Sequence, residues 1–201
     1  MGASSPTLKN DGGLVLWFSG LPGSGKSTIA RLVLQKLRLN RIYFEYVSMD
    51  QIRRKIFPNP GYTDQERDAA YRAFVLLAGF LSRNGVNVIL DGTGHRRVWR
   101  DLARAEIPTF IEVYVKCPIE VCMEREARRR GQPTTRANLY RDALKRLRTG
   151  EKLSGLGSVP GVDEPFEESE HPDIVVDSSK PTAEDCANLV AKSVLTRIYA
   201  V

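Results

Sequence analysis

Cysteine is scarce. Cys117, Cys122 and Cys186 are the only three in 201 residues, and no pair has CxxC spacing. An odd count without a framework points to reduced thiols in a cytoplasm, packed as small hydrophobes. Long apolar runs are missing as well. No stretch approaches the roughly 20 residues that cross a bilayer, which removes a membrane partner. The opening "MGASSPTLKNDGG" has no apolar centre of the kind a signal peptide needs, and Pro6 stands where a myristoylation signal requires Ser or Thr. Residues 1–13 read as a flexible tail ahead of one domain, 14–201. Histidine is rarer still. His95, beside Arg96 and Arg97 in a polar turn, reads as a surface residue.

Acid is in deficit. Thirty Lys and Arg face 24 Asp and Glu, a net charge of +6. The excess is arginine, gathered at Arg125, Arg128, Arg129, Arg130, Arg136, Arg141, Arg146 and Arg148. Nucleic acid would suit such a cluster. So would a polyanionic small molecule, because guanidinium matches phosphate and sulfate bidentately. Some of these side chains form solvated helix face. Hydrophobic content of 42% and charge of 27% are those of a globular domain.

Five short apolar runs predict buried strands at Leu14–Ser19, Tyr43–Ser48, Val86–Leu90, Ile111–Val115 and Asp173–Asp177. Helical patterns separate them. One follows Gly25. A second starts at a capping box, Thr63 with Glu66, and stops near Gly85. A third covers Glu120–Arg130. The last starts at a second capping box in "TAED", Thr182–Asp185, and runs to the C-terminus. Strands alternating with helices imply an α/β fold, a five-stranded parallel sheet covered on both faces. Thr149–Pro172, rich in Gly, Pro, Ser and acid, is too long for an ordinary connection. It reads as a lid, a binding loop or a disordered segment.

Gly20-x-x-x-x-Gly25-Lys26-Ser27 matches the P-loop pattern in full, between a strand and a helix. Gly20, Gly23, Ser24, Gly25, Lys26, Ser27 and Thr28 are the expected phosphate cradle for ATP. Backbone N–H groups and the helix N-terminus make the anion site. Lys26 is expected to reach the β- and γ-phosphates, and Ser27 to ligate Mg²⁺. "DGTG", Asp91–Gly94, fits the DxxG of GTPases, but no NKxD motif accompanies it.

Ligands of an open parallel sheet bind at the carboxyl ends of its strands. Asp50 follows the second strand there. Phosphoryl transfer to a hydroxyl needs a carboxylate that orients or accepts its proton, and Asp50 is the candidate. An N-cap role before "QIRRKIF" is the competing reading. Arg53, about one turn on, would hold an anion of the acceptor. Asp91 closes the third strand, a position where carboxylate holds Mg²⁺; a turn aspartate before Gly92 is the alternative.

These segments resemble the adenylylsulfate (APS) kinases, which pass the γ-phosphate of ATP to the 3′-hydroxyl of adenosine 5′-phosphosulfate. The similarity runs from about Leu14 to the last helix. It is carried by "GLPGSGKSTIA", "MDQIR", "GYTDQERDAAYR", "VYVKCPIEVCMERE", "NLYRDAL" and "GVDEPFEESEHPDIVVDSS". The resemblance implies Asp50 as the catalytic carboxylate and Arg53 as a substrate ligand. It also implies Tyr62 as an aromatic stacking platform, Arg67 as an anion ligand, Arg125 near the nucleotide and Lys152 in the substrate lid. It further implies the P-loop nucleoside-triphosphate hydrolase fold with an Arg-rich lid, a flavodoxin-like nucleotide-kinase topology and a homodimer. The partner is then a nucleotide rather than nucleic acid. In that family an aromatic follows the lid lysine, where this chain has Leu153. "MDQIRRKIF" with "VILDGTGHRR" also resembles P-loop kinases of other hydroxyls, polynucleotide 5′-ends and small metabolites among them.

Overall fold

The computed structural model describes residues 12–59, 61, 63–128, 138–151 and 157–199. Its centre is a five-stranded parallel sheet of β1 (Val15–Ser19), β2 (Glu45–Ser48), β3 (Val88–Asp91), β4 (Phe110–Lys116) and β5 (Ile174–Asp177). The helices are α1 (Lys26–Leu39), α2 (Met49–Ile56), α3 (Asp64–Arg83), α4 (Arg97–Glu106), α5 (Ile119–Ala127), α6 (Leu139–Thr149) and α7 (Ala183–Tyr199).

Every residue of β1 is buried, as a central parallel strand requires. Alternation then assigns its two faces. Leu16 and Phe18 pack with Ile29, Val33 and Leu37 of α1 and Val190 and Val194 of α7. Val15 and Trp17 pack with Tyr71 and Phe74 of α3 and Trp99 of α4. Both capping boxes form. Thr63 and Glu66 bond reciprocally at the start of α3, as do Thr182 and Asp185 before α7. Gly85 follows α3 with φ 75°, the left-handed turn expected there.

The strand order is β2-β3-β1-β4-β5. This corrects the flavodoxin-like expectation, in which β1 would sit beside β2. Asn87, just before β3, accounts for the insertion. Its side chain accepts from Leu14 N at 2.9 Å on one side and donates to Tyr43 O at 3.0 Å on the other. β3 is thereby stitched to both neighbours.

The long segment before β5, read as a lid, a binding loop or a disordered segment, is fastened where it is described. Arg100, 1% exposed, pairs with Glu112 of β4 at 2.9 Å and also donates to Gly94 O and Glu167 O. Glu167 N donates to His95 O, Ser169 donates to Glu112, and Phe166 stacks on Tyr114 at 5.3 Å. Residues 157–170 form a strap across the α4 side of the sheet. No helix among the described residues is long and apolar enough to cross a membrane.

Candidate functional site

Because all five strands are parallel, their carboxyl ends share one edge. β1 delivers Gly20–Gly25 there, and α1 begins at Lys26. Gly25 is the N-cap at φ 89°. Gly23, at φ 87°, lies against α5, where a Cβ would meet Cys122 O at 2.4 Å. Only glycine fits the second position, and it lets the loop sit down on α5. The first N–H groups of α1 have no intrahelical acceptors and open into the loop. Ser24 is buried, with no partner for its hydroxyl among the described residues.

The cradle is braced from outside. Tyr140 of α6 donates to Pro22 O at 2.7 Å, and Ser178, after β5, donates to Ser24 O at 2.7 Å. Arg125 grips that same Ser178, donating to its carbonyl at 2.6 Å and its hydroxyl at 3.3 Å. Lys26 and Ser27 are half-buried, and Thr28 is exposed. Burial pushes the Cys122 thiol up to about 12, against the pull of nearby Lys26 and Arg125. It is therefore no nucleophile at neutral pH.

The ends of β2 and β3 meet beside this loop. Ser48 pairs with Asp91, and Asp91 with Phe18 of β1. Asp91 shares a sheet face with Ile89, the face covered by α1. Ser27 stands in the first turn of that helix, on the same side of the sheet as Asp91. Tyr46 donates to Asp91 Oδ2 at 2.5 Å. Burial first, and the Asp91 charge second, hold the tyrosine hydroxyl well above its ordinary range, so it stays protonated. Asp91 Oδ1 is buried and has no hydrogen-bond partner among the described residues.

Asp50 lies in the first turn of α2, exposed, and the N-cap is Ser48. The N-cap reading of Asp50 is thereby displaced. Arg53 follows on the same helix, half-buried. Asp50 and Arg53 both act on the hydroxyl of Tyr71, which accepts from Gly94 N at 2.9 Å. Asp50 and Arg53 are thus within electrostatic reach of Tyr71, whose hydroxyl holds the β3–α4 loop. Tyr62 and Lys152 lie outside the described residues, as do Arg129, Arg130, Arg136 and Leu153.

Arg67 is brought to the same region in a setting the sequence did not announce. It is 7% exposed, and its guanidinium donates to Glu164 Oε2 at 2.8 Å, Ser158 Oγ at 2.9 Å and Ser158 O at 2.8 Å. His95 Nε2 is 2.9 Å from the same Glu164 oxygen. Arg96 pairs with the other oxygen and with Asp64. Burial pushes the Glu164 carboxyl up, but hydrogen bonds from Ser158 and Arg96 and the charge of Arg67 win, and it rests at about 2. His95, expected at the surface, is 2% exposed, because the strap from far along the chain covers it. Sequence reasoning missed Glu164, His95, Arg96 and Tyr46; only the polar type of each was visible.

Among the described residues no group of three or more His, Cys, Asp or Glu could hold a metal ion. A site of one carboxylate and one hydroxyl suits a cation that keeps waters and leans on substrate phosphates, as Mg²⁺ does. The orphaned oxygen of Asp91, a residue on the α1 side of the sheet, fits that description.

A family model described as adenylylsulphate kinase matches residues 12–177. A probable adenylyl-sulfate kinase of Archaeoglobus fulgidus is 39% identical over 83% of this chain and 96% of its own length. An adenylyl-sulfate kinase of Synechococcus is 30% identical over 93% and 97%. Among solved structures, the APS kinase of Mycobacterium tuberculosis in complex with AMPPNP and APS superposes with a TM-score of 0.74. It is 25% identical, over 92% of this chain and 98% of that one.

Proposed function

We propose that this chain, which belongs to the adenylylsulphate kinase family, passes the γ-phosphate of ATP to the 3′-hydroxyl of adenosine 5′-phosphosulfate. ADP and the 3′-phosphorylated nucleotide are the products. The carrying observation is the convergence, at one sheet edge, of a phosphate cradle with the carboxylates Asp50 and Asp91, in a chain that this family matches along 12–177.

In this reading the N–H groups of Gly20–Thr28 hold the ATP phosphates, and Lys26 neutralises the β- and γ-oxygens. Ser27 and Asp91 Oδ1 would hold Mg²⁺, which supplies charge neutralisation on the transferring group. Asp50 orients the acceptor hydroxyl and takes its proton, the lost O–H bond being replaced by the new O–P bond. Arg53 presents a cationic fork to the 5′-phosphosulfate, and Arg67, its guanidinium engaged by Glu164 and Ser158, braces the wall beside it. Tyr62 offers a face to the adenine, and Lys152 belongs to the closing lid. Arg125, anchored on Ser178, lies beside the nucleotide. The arginines of α6 close over the phosphates and exclude water, which would compete as acceptor. A homodimer and a cytoplasmic setting complete the reading; the three free, buried thiols support the second.

The test is an ADP-release assay with ATP, Mg²⁺ and a panel of acceptors. Adenosine 5′-phosphosulfate is expected to give the highest kcat/KM. A 5′-hydroxyl oligonucleotide or a sugar turning over at least tenfold more efficiently would transfer the assignment to another hydroxyl acceptor.

A further inference from the structure

The two oxygens of Asp91 are in different states. Oδ2 accepts from Tyr46 at 2.5 Å, while Oδ1 is buried with no partner among the described residues. The residue is 7% exposed, so water cannot make up the difference. A buried polar atom left unsatisfied is destabilising, the more so when charged. Such an atom in a native site calls for a reason.

Tyr46 is itself held. Its ring lies under the Arg31 guanidinium, 4.6 Å from the centroid. Arg31 stands one helical turn after Ser27 on α1, hence on the same side of that helix. Tyr46 pairs with Ile89 on the face that α1 covers, and Asp91 lies two residues further along that face. Tyr46 therefore joins Asp91, at the end of β3, to Arg31, on the side of α1 that also carries Ser27. A carboxylate's last torsion is broad and two-fold, so nothing intrinsic to Asp91 fixes the angle at which its carboxylate is held. The Tyr46 hydroxyl does.

We infer that Tyr46 is a positioning residue for the divalent cation. By bonding Oδ2 it locks the Asp91 carboxylate so that Oδ1 is presented beside Ser27. The inference rests on the reading of Asp91 as a metal-holding residue. Partners of this kind typically change metal affinity by about 10- to 100-fold when removed.

The probe is Mn²⁺ in the presence of ADP, with bound metal read by electron paramagnetic resonance. The wild-type protein is compared with Tyr46→Phe, Asp91→Asn and the double variant, each checked by thermal melting. Tyr46→Phe keeps the ring and loses only the donor; it is expected to raise the Mn²⁺ Kd by about 10- to 100-fold. On the Asp91→Asn background the same change should add nothing, which a general loosening of the fold would not reproduce. Arg31→Gln, at an exposed position, offers a second route and should weaken Mn²⁺ by a smaller factor in the same assay. If Asp91→Asn binds Mn²⁺ as the wild type does, the metal reading of Asp91 falls, and this inference with it. If Asp91→Asn weakens binding but Tyr46→Phe does not, the metal reading stands and the inference is overturned. Equal losses from Tyr46→Phe with and without Asp91 would also overturn it.

Discussion

Acid should unload this fold through one histidine. His95 is 2% exposed, with Arg67 on one side and Glu164 on the other. Burial first, then the Arg67 charge, press its pKa from 6.5 down to about 4, with Glu164 opposing. With the proton on Nε2, the neutral ring donates to Glu164. The folded pKa is depressed, so the unfolded chain takes up the proton first. Stability is full above pH 6.5 and falls as the pH drops toward 4. The whole window is worth about 3 kcal/mol, and about 2 kcal/mol has gone by pH 5. Glu164 does not blur this. Its stabilisation persists above its unfolded value of 4.5 and is lost only as the pH falls toward 2. Thermal melts at pH 7.5 and 5.0 should therefore separate the wild type from His95→Gln. At about 2–4 °C per kcal/mol for a chain this size, the wild type should lose about 4–8 °C more than the variant. His171 is exposed and common to both proteins. Equal losses in the two would refute the burial argument.

Three further outcomes test the rest of the structure. Lys26→Ala should abolish phosphoryl transfer without moving the melting temperature, since that side chain serves the ligand; full activity in the folded variant would end the kinase reading. Asp50→Asn should lower kcat by about 10²- to 10⁴-fold with ATP affinity little changed. A variant that keeps its turnover and melts earlier would show that Asp50 serves the first turn of α2 instead. Glu112→Ala strands Arg100 at 1% exposure without its carboxylate and should cost about 3–5 kcal/mol by denaturant titration. A loss below about 1 kcal/mol would mean that the backbone carbonyls of Gly94 and Glu167 suffice for that guanidinium.

What the sequence made legible was local. The P-loop is nine contiguous residues with a strand before and a helix after, so pattern and context could be checked together. Each capping box lies within four residues. Asp91 could be placed because a hydrophobic strand visibly ended on it. The strand order was not legible, since Asn87 chooses the neighbours of β3 through contacts to Leu14 and Tyr43, and neither is near it in sequence. α4 went unseen because Arg97–Glu106 carries five charged residues in ten, and its buried face includes an arginine. Arg67 was expected to meet an anion, and the carboxylate that it meets lies 97 residues away. Neither partner announces the other. The burial of His95 is imposed by the same distant segment, so its polar neighbours pointed the wrong way.

The strap also sets an order in time. Arg67 and His95 are made well before residues 158–170, yet the carboxylate that meets both is Glu164; Arg100 and Glu112 balance each other and gain further bonds from Glu167 O and Ser169. Until that stretch has left the ribosome, Arg67 lacks the carboxylate it pairs with in the fold, and the phosphate loop has no Ser178 to brace it. The nascent P-loop can therefore be complete in sequence long before it is complete in shape. Contacts this far apart also close slowly, which places final assembly late in folding. The last quarter of the chain acts as a release step for the first.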